Sequence, residues 1–104
     1  MDTLTRLEAT IAQRRTGDPE QSYVAHLTRR GLPVMARKLG EEAVEATVAA
    51  LVGTREEFIG ESADLLFHLA VLLAEKDIAL ADVMAELERR EGVSGLDEKA
   101  GRTA

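Results

Sequence analysis

The 104-residue chain contains no cysteine and few aromatic residues, which make up 3% of it. Without cysteine there is no disulfide framework, thiol nucleophile or cysteine–zinc site, and the absence fits a reducing compartment. The scarcity of aromatic rings argues against the stacking platforms that bind single-stranded nucleic acid. Acidic residues outnumber basic ones: the chain has 19 aspartates and glutamates and 13 lysines and arginines, which gives a formal net charge of −6. Nonspecific binding to nucleic acid or to an anionic membrane is therefore not expected.

Long hydrophobic runs are missing as well. The longest apolar run, residues 69–74, is too short to cross a bilayer. The N-terminal segment MDTLTRLEATIAQRR has the pattern of an amphipathic helix, whereas a secretory signal has a charged head followed by an apolar run. We therefore expect a cytoplasmic protein. The length suits one domain, residues 1–104, and a hydrophobic fraction of 45% predicts that it folds.

Hydrophobic spacing predicts helices throughout the chain, and no segment alternates as a strand does. The first helix is expected over residues 2–15, where Leu4, Leu7 and Ile11 recur at helical spacing, and TGDPEQS ends it. Three more are expected at residues 22–30, 34–52 and 55–75, and a last one carries Leu80, Val83, Met84 and Leu87 and ends before Gly92. Gly31 and Pro33 are expected to interrupt the chain between the second and third helices.

Two of these helices are apolar on nearly every side, over residues 43–52 and 65–74. A helix of that kind packs on every side, and a chain of 104 residues cannot easily surround two of them. We therefore expect an all-α helical bundle of four to five helices, completed by homodimerisation, since twofold dimers are the commonest oligomers. Residues 93–104 have little periodicity, and one interpretation is a frayed terminus.

Acidic residues open both apolar stretches. Glu42 and Glu45 share one helix face, with Glu41 beside Glu45, and Glu61 and Asp64 share a face of the next long helix. One interpretation is that the acids are solvated and favour the helix dipole. The second pair does not fit it, because its helix already begins near residue 55 and aspartate is unfavourable inside a helix. A shared counter-ion is the preferred hypothesis.

The spacing leaves open how the two acidic groups meet. Antiparallel helices joined near Gly53 would hold the groups apart unless the helices stagger, and contact across a dimer is the alternative. All-oxygen ligands predict a hard cation, Mg²⁺ or Mn²⁺. Zinc would favour cysteine or more histidine, and a di-iron bundle would need Glu-x-x-His, which His68 does not complete. Magnesium held by carboxylates usually indicates phosphate chemistry.

The four-acid pattern E-x-x-E, a spacer, then E-x-x-D resembles the metal motif of the all-α nucleotide pyrophosphohydrolases. It is matched by Glu42, Glu45, Glu61 and Asp64, with 15 residues between the two pairs. The flanking segments SYVAHL, KLGEEAVEATVAA, ESADLLFHLAVLL, VMAELERRE and SGLDEKAGR, in this order, resemble the phosphoribosyl-ATP pyrophosphatase family over residues 4–102. The resemblance implies a Mg²⁺-dependent homodimer that hydrolyses phosphoribosyl-ATP to phosphoribosyl-AMP and pyrophosphate, the second step of histidine biosynthesis.

The resemblance implies that the metal ligands are Glu42, Glu45, Glu61 and Asp64. The general base is then one of these acids, with Glu45 a candidate, or the neighbouring Glu41. The anionic substrate needs cations, and the candidates are Lys38, Lys99, Arg102 and, with weaker support, Arg14 and Arg15. For Lys38 the alternative is a surface ion pair with Glu42, and for Arg14 a solvated helix end.

Two further residues are candidate substrate contacts. His68 either touches substrate or is a structural residue bonded to Asp64 one turn earlier. Tyr23 either stacks on the base or covers the end of the bundle. The chain departs from the family at Phe67, where tyrosine is usual, and at Gly101, where serine is usual, so neither position is assigned a hydroxyl contact.

The competing functions are a house-cleaning nucleoside triphosphate pyrophosphatase and a helical dimerisation module without chemistry.

Overall fold

The computed structural model describes residues 2–92. This part of the chain folds into five α-helices and no strand, in the order α1 (Thr3–Arg14), α2 (Tyr23–Arg30), α3 (Leu32–Val52), α4 (Arg55–Glu75) and α5 (Leu80–Arg90). The predicted all-α bundle of four to five helices is confirmed. The first four helices begin and end within two residues of their predicted bounds, and α5 ends before Gly92 as predicted. Among the described helices, none combines the length and the apolar character needed to cross a membrane.

Side-chain caps account for three of the helix starts. Asp2 and Ser22 accept hydrogen bonds from backbone N–H groups at α1 and α2. At α4, the Thr54 hydroxyl accepts from the Glu57 N–H at 3.1 Å, which is one half of a capping box. The Glu57 carboxylate then accepts from the Thr54 hydroxyl at 3.2 Å, so Thr54 is fixed from both sides.

A single residue, Gly31, separates α2 from α3. Its φ of 95° lies in the left-handed region, which glycine adopts without the steric cost that a Cβ adds. The third helix was expected to start at residue 34, but it starts at Leu32, with Pro33 in its first turn. Proline is tolerated there because the first N–H groups of a helix have no intrahelical partner.

The core lies where four helices meet. Its buried side chains come from α1, α2, α3 and α4, and they are Ile11, Val24, Leu27, Met35 and Val71. The most extensive packing is between α3 and α4, which are joined through Gly53 and Thr54 and lie antiparallel. Helix α5 is fixed at its start by α1, because Glu8 Oε2 accepts a 2.6 Å hydrogen bond from the Leu80 N–H.

The α3–α4 hairpin exposes much of its apolar surface. Leu51 and Val52 are 78% and 81% exposed, and Val44, Val48 and Ile59 are each more than half exposed. Soluble monomers rarely expose contiguous apolar patches of large size. The sequence argument that one chain cannot cover both long helices therefore agrees with the exposure seen in this chain.

Candidate metal centre

Three carboxylates from the two long helices meet in a single chain. Glu42 and Glu45 on α3 and Glu61 on α4 each place one carboxylate oxygen within 4.8 Å of the other two. Glu42 is buried, at 7% exposure, whereas Glu61 is half-buried and Glu45 is exposed. The cluster therefore has a buried floor and an open side that a ligand can reach.

The spacing left open how the two acidic groups meet, and in the structure they meet within one antiparallel hairpin. Glu45 lies eight residues before Gly53 and Glu61 lies eight residues after it (53 − 45 = 61 − 53). Because each helix rises about 1.5 Å per residue, the two side chains return to about the same height on neighbouring helices. No stagger is needed to bring them together.

The electrostatics of the cluster disfavour the charged carboxylates. Burial, together with the neighbouring Glu45 and Asp64, raises the pKa of Glu42. Burial is also the main cause that raises the pKa of Glu61, with Glu45 the next cause. Within residues 2–92, the buried Oε2 atoms of Glu42 and Glu61 find no hydrogen-bond partner. Unpaired buried carboxylate oxygens are costly, and this all-oxygen donor set fits a hard divalent cation.

The fourth predicted ligand, Asp64, lies beside this cluster without joining it. Its side chain is exposed on α4, and the oxygens that meet are those of Glu42, Glu45 and Glu61. Its charge is nevertheless close enough to help raise the pKa of both Glu42 and Glu61. A ligand role for Asp64 stays a prediction.

Glu41, the second candidate base, is held by cations. Its Oε1 lies 3.5 Å from Nε of Arg37, and its Oε2 lies 3.4 Å from Nζ of Lys38. Lys38 therefore pairs with Glu41, and the alternative of an ion pair with Glu42 was wrong. Electrostatic interactions with Tyr23 and then with Glu41 raise the pKa of the Lys38 ammonium.

His68 has both ring nitrogens engaged. Its Nδ1 lies 2.8 Å from the backbone carbonyl oxygen of Asp64, and its Nε2 lies 3.2 Å from the Tyr23 hydroxyl. Since a carbonyl only accepts, Nδ1 carries the proton and Nε2 of the neutral ring accepts from the Tyr23 hydroxyl. The structural alternative for His68, a bond to Asp64, therefore forms, but through the main chain and not the carboxylate. The Tyr23–His68 pair joins residues 45 apart, and no spacing in the sequence indicates it.

Comparison with known proteins identifies the family. The family model described as phosphoribosyl-ATP pyrophosphohydrolase matches residues 4–91. The chain belongs to this family. The phosphoribosyl-ATP pyrophosphatase of Erythrobacter litoralis is 63% identical over 102 residues, which cover 98% of each chain. That of Novosphingobium aromaticivorans is 59% identical over 98% of this chain and 95% of its own, and that of Rhizorhabdus wittichii is 62% identical over 96% and 94%.

The other cationic candidates of this phosphoribosyl-ATP pyrophosphohydrolase family member lie away from the cluster or outside residues 2–92. Arg14 is exposed in the last turn of α1. The next residue, Arg15, forms an ion pair with Glu75 at 2.9 Å and ties α1 to the end of α4. Lys99 and Arg102 fall outside the described residues. Lys38 is therefore the predicted phosphate-binding cation whose contacts with the acidic residues are visible.

Proposed function

We propose that this chain hydrolyses phosphoribosyl-ATP to phosphoribosyl-AMP and pyrophosphate with Mg²⁺, in the cytoplasm, as the second step of histidine biosynthesis. The observation that carries the proposal is the cluster of Glu42, Glu45 and Glu61 in a chain of the phosphoribosyl-ATP pyrophosphohydrolase family. Mn²⁺ is the alternative cation, because it accepts the same oxygen ligands.

The metal ligands in this proposal are Glu42, Glu45 and Glu61, with Asp64 as the fourth. A bound Mg²⁺ supplies charge neutralisation for the phosphate oxygens and lowers the pKa of a coordinated water. Glu42 and Glu61 each bring a buried oxygen that has no hydrogen-bond partner among the described residues. Those oxygens are free to bind a cation without breaking an existing contact.

Glu45 is the better general base of the two candidates. Both oxygens of Glu41 are already paired, with Arg37 and Lys38, whereas Glu45 is exposed on the open side of the cluster. Glu45 would accept the proton of the attacking water as the oxygen–phosphorus bond forms. The bond that breaks lies between the α and β phosphates, and the leaving group is pyrophosphate.

Lys38 would bind a phosphate oxygen of the substrate. Its ammonium reaches Glu41 at 3.4 Å and is only partly exposed, at 28% of its side chain, so it is already held near the acidic residues. Two cations of the tail, Lys99 and Arg102, would neutralise further phosphate charge, and Arg14 is a weaker candidate. His68 has both nitrogens engaged within the protein, which favours a structural position over a substrate contact.

The working form in this proposal is a homodimer that covers the exposed apolar side of the α3–α4 hairpin. Fully burying a side chain such as Leu51, which is 78% exposed, stabilises an assembly by about 1.5–3 kcal/mol. Sedimentation velocity tests this part, with Leu51→Glu as the interface variant. The wild type should sediment as a dimer and the variant as a folded monomer, and a monomeric wild type would contradict the dimer.

The decisive experiment is pyrophosphate release from phosphoribosyl-ATP, with Mg²⁺ and with EDTA. The wild type should need Mg²⁺, and Glu45→Gln should lose about 100-fold or more in kcat. Glu56→Gln is the matched control, because it removes a carboxylate that is 80% exposed elsewhere on α4. Release from ordinary nucleoside triphosphates alone would indicate a house-cleaning pyrophosphatase, and no hydrolysis at all would leave a dimerisation module.

A further inference from the structure

The Tyr23 hydroxyl connects α2 to the helix that carries two of the acidic residues. Tyr23 is the first residue of α2, and its hydroxyl lies 3.2 Å from Nε2 of His68 on α4. His68 is buried, at 6% exposure, and follows Asp64 by one helical turn. The contact therefore joins a helix outside the α3–α4 hairpin to the buried side of α4.

The imidazole of His68 is fixed at both ends by these contacts. Its Nδ1–H donates to the Asp64 carbonyl at 2.8 Å, and its Nε2 accepts from Tyr23. Residues 61, 64 and 68 are spaced three and four apart, so they lie on one face of α4. A change in the ring orientation would therefore act on the turn of α4 that carries Asp64.

We propose that Tyr23 is a positioning residue for the metal centre: its hydroxyl fixes the His68 imidazole, and through it the face of α4 that carries Glu61 and Asp64. This inference rests on the proposed function, since it assumes that these acids bind a cation. Outer residues that orient metal ligands commonly change metal affinity by about 10–100-fold when they are mutated. Tyr23 acts through one more contact, so we expect a change near the lower end.

The hydroxyl can be separated from the packing of the ring. The Tyr23 ring lies nearly parallel to Phe67, with centroids 6.1 Å apart and 20° between the planes, and it meets His68 edge-on at 5.9 Å. Tyr23→Phe keeps these ring contacts and removes the hydrogen bond alone. The buried Nε2 of His68 then has lost its donor, which is costly for a buried acceptor, while the Asp64 carbonyl still keeps the proton on Nδ1.

The test uses Mn²⁺ alone, without substrate, on the full chain. Mn²⁺ binding is titrated by electron paramagnetic resonance for the wild type, Tyr23→Phe and Thr28→Val. Thr28→Val is the matched control, because it removes another hydroxyl hydrogen bond of α2, at 2.8 Å to the Val24 carbonyl. The ¹⁵N shifts of the His68 ring report its tautomer in the same samples.

We expect the Nδ1–H tautomer in the wild type and in both variants, and a changed ¹⁵N shift of the His68 Nε2 in Tyr23→Phe alone, because that nitrogen has lost its donor. The Kd for Mn²⁺ should rise about tenfold in Tyr23→Phe and stay unchanged in the control. An unchanged Kd for Mn²⁺ in Tyr23→Phe would overturn this inference but would leave the proposed metal centre standing. A raised KM for phosphoribosyl-ATP at saturating Mg²⁺, with unchanged Mn²⁺ binding, also overturns it and makes Tyr23 a substrate contact. A wild type that binds no Mn²⁺ overturns the proposed metal centre as well.

Discussion

One oxygen of Glu42 on α3 and one oxygen of Glu61 on α4 are buried together without a hydrogen-bond partner in the described part of the chain. Both residues belong to the cluster whose ligand atoms lie within 4.8 Å of one another, and burial raises the pKa of each. Without a cation, the fold therefore holds carboxylates in a place that penalises their charge. Ligand-binding residues commonly reduce the stability of a protein until the ligand is bound, so that some stability is given up for function.

The first prediction is that Glu42→Gln stabilises the metal-free protein. Because the pKa of Glu42 is raised in the folded state, the free energy of unfolding falls as the pH rises through that pKa. The glutamine amide stays neutral, so the variant does not lose this stability. We expect the melting temperature in EDTA to rise at neutral pH, by about 4–8 °C if the gain is about 1 kcal/mol. Scanning calorimetry at one protein concentration measures it. Mg²⁺ should raise the melting temperature of the wild type and have little effect on the variant.

The surface variant Glu56→Gln serves as the control for Glu42→Gln. Its carboxylate is 80% exposed and lies 4.0 Å from Arg55, and exposed ion pairs contribute little. We expect its free energy of unfolding to lie within about 0.5 kcal/mol of that of the wild type. Mg²⁺ should raise its melting temperature as much as that of the wild type. Equal melting temperatures for wild type and Glu42→Gln in EDTA would mean that the cluster carries no electrostatic strain.

The helices were predictable because local signals and packing agree along this chain. Thr54 and Glu57 mark the start of α4, and Gly53 the end of α3. The acids of the site were also recognisable, since Glu61 and Asp64 lie inside a helix that has already begun at Arg55. Their meeting within one chain was within reach, because Glu45 and Glu61 are equally distant from the turn at Gly53. Leaving open how the two acidic groups meet overlooked this symmetry.

The contacts of Tyr23 and Lys38 were beyond sequence reasoning. The bond from Tyr23 to His68 spans 45 residues and depends on how α2 lies against α4. For Lys38, partners three and four residues later are both within reach of a long side chain, and rotamers select Glu41. Such choices depend on tertiary packing, whereas the periodicity of a sequence reports only which side of a helix a residue occupies.

A second prediction concerns the acid stability of α5. Hydrogen bonds from Arg89 and Arg90 hold the pKa of Glu86 at about 2, below its ordinary value of 4.5. Because the folded-state pKa is lowered, this stabilisation is present above about pH 4.5 and is lost as the pH falls toward 2. Titration of the Glu86 carboxyl by ¹³C NMR should give a midpoint well below 4.5. Changing both arginines to glutamine should return the midpoint toward 4.5, and an unmoved midpoint would contradict the assignment.

A third prediction concerns Glu8, which acts as the cap of α5 from another helix. The helix start at Ala79 has no side-chain cap of its own, and Glu8 Oε2 accepts from the Leu80 N–H at 2.6 Å. Loss of a cap costs about 0.5–2 kcal/mol, so Glu8→Ala should destabilise the fold by about 1 kcal/mol in urea unfolding. Glu8→Gln keeps an acceptor oxygen and should lose less. Glu20→Ala, which removes an exposed carboxylate, should have little effect, and equal losses for both alanine variants would reject the cap.

A fourth prediction compares two glycines of the hairpin. A Cβ at Gly53 would lie 2.8 Å from the Ala49 carbonyl oxygen and 3.0 Å from its Cα, whereas a Cβ at Gly60 meets nothing within 4 Å. Since backbone atoms cannot yield as a flexible side chain does, Gly53→Ala must shift the α3–α4 connection. Overpacking of this kind costs about 1–3 kcal/mol. Gly60→Ala, inside a helix, should instead stabilise by about 0.5–1 kcal/mol.

The same pair of variants tests whether the turn sets the geometry of the metal centre. Gly53 lies midway between Glu45 and Glu61, so a displaced turn changes the height at which their carboxylates meet. Gly53→Ala should therefore weaken Mn²⁺ binding as well as lower the urea midpoint, while Gly60→Ala should leave Mn²⁺ binding unchanged. Weaker Mn²⁺ binding in both variants, or in neither, would mean that the turn does not align the cluster. Stability loss in Gly53→Ala with intact metal binding would mean that the helices hold their register without it.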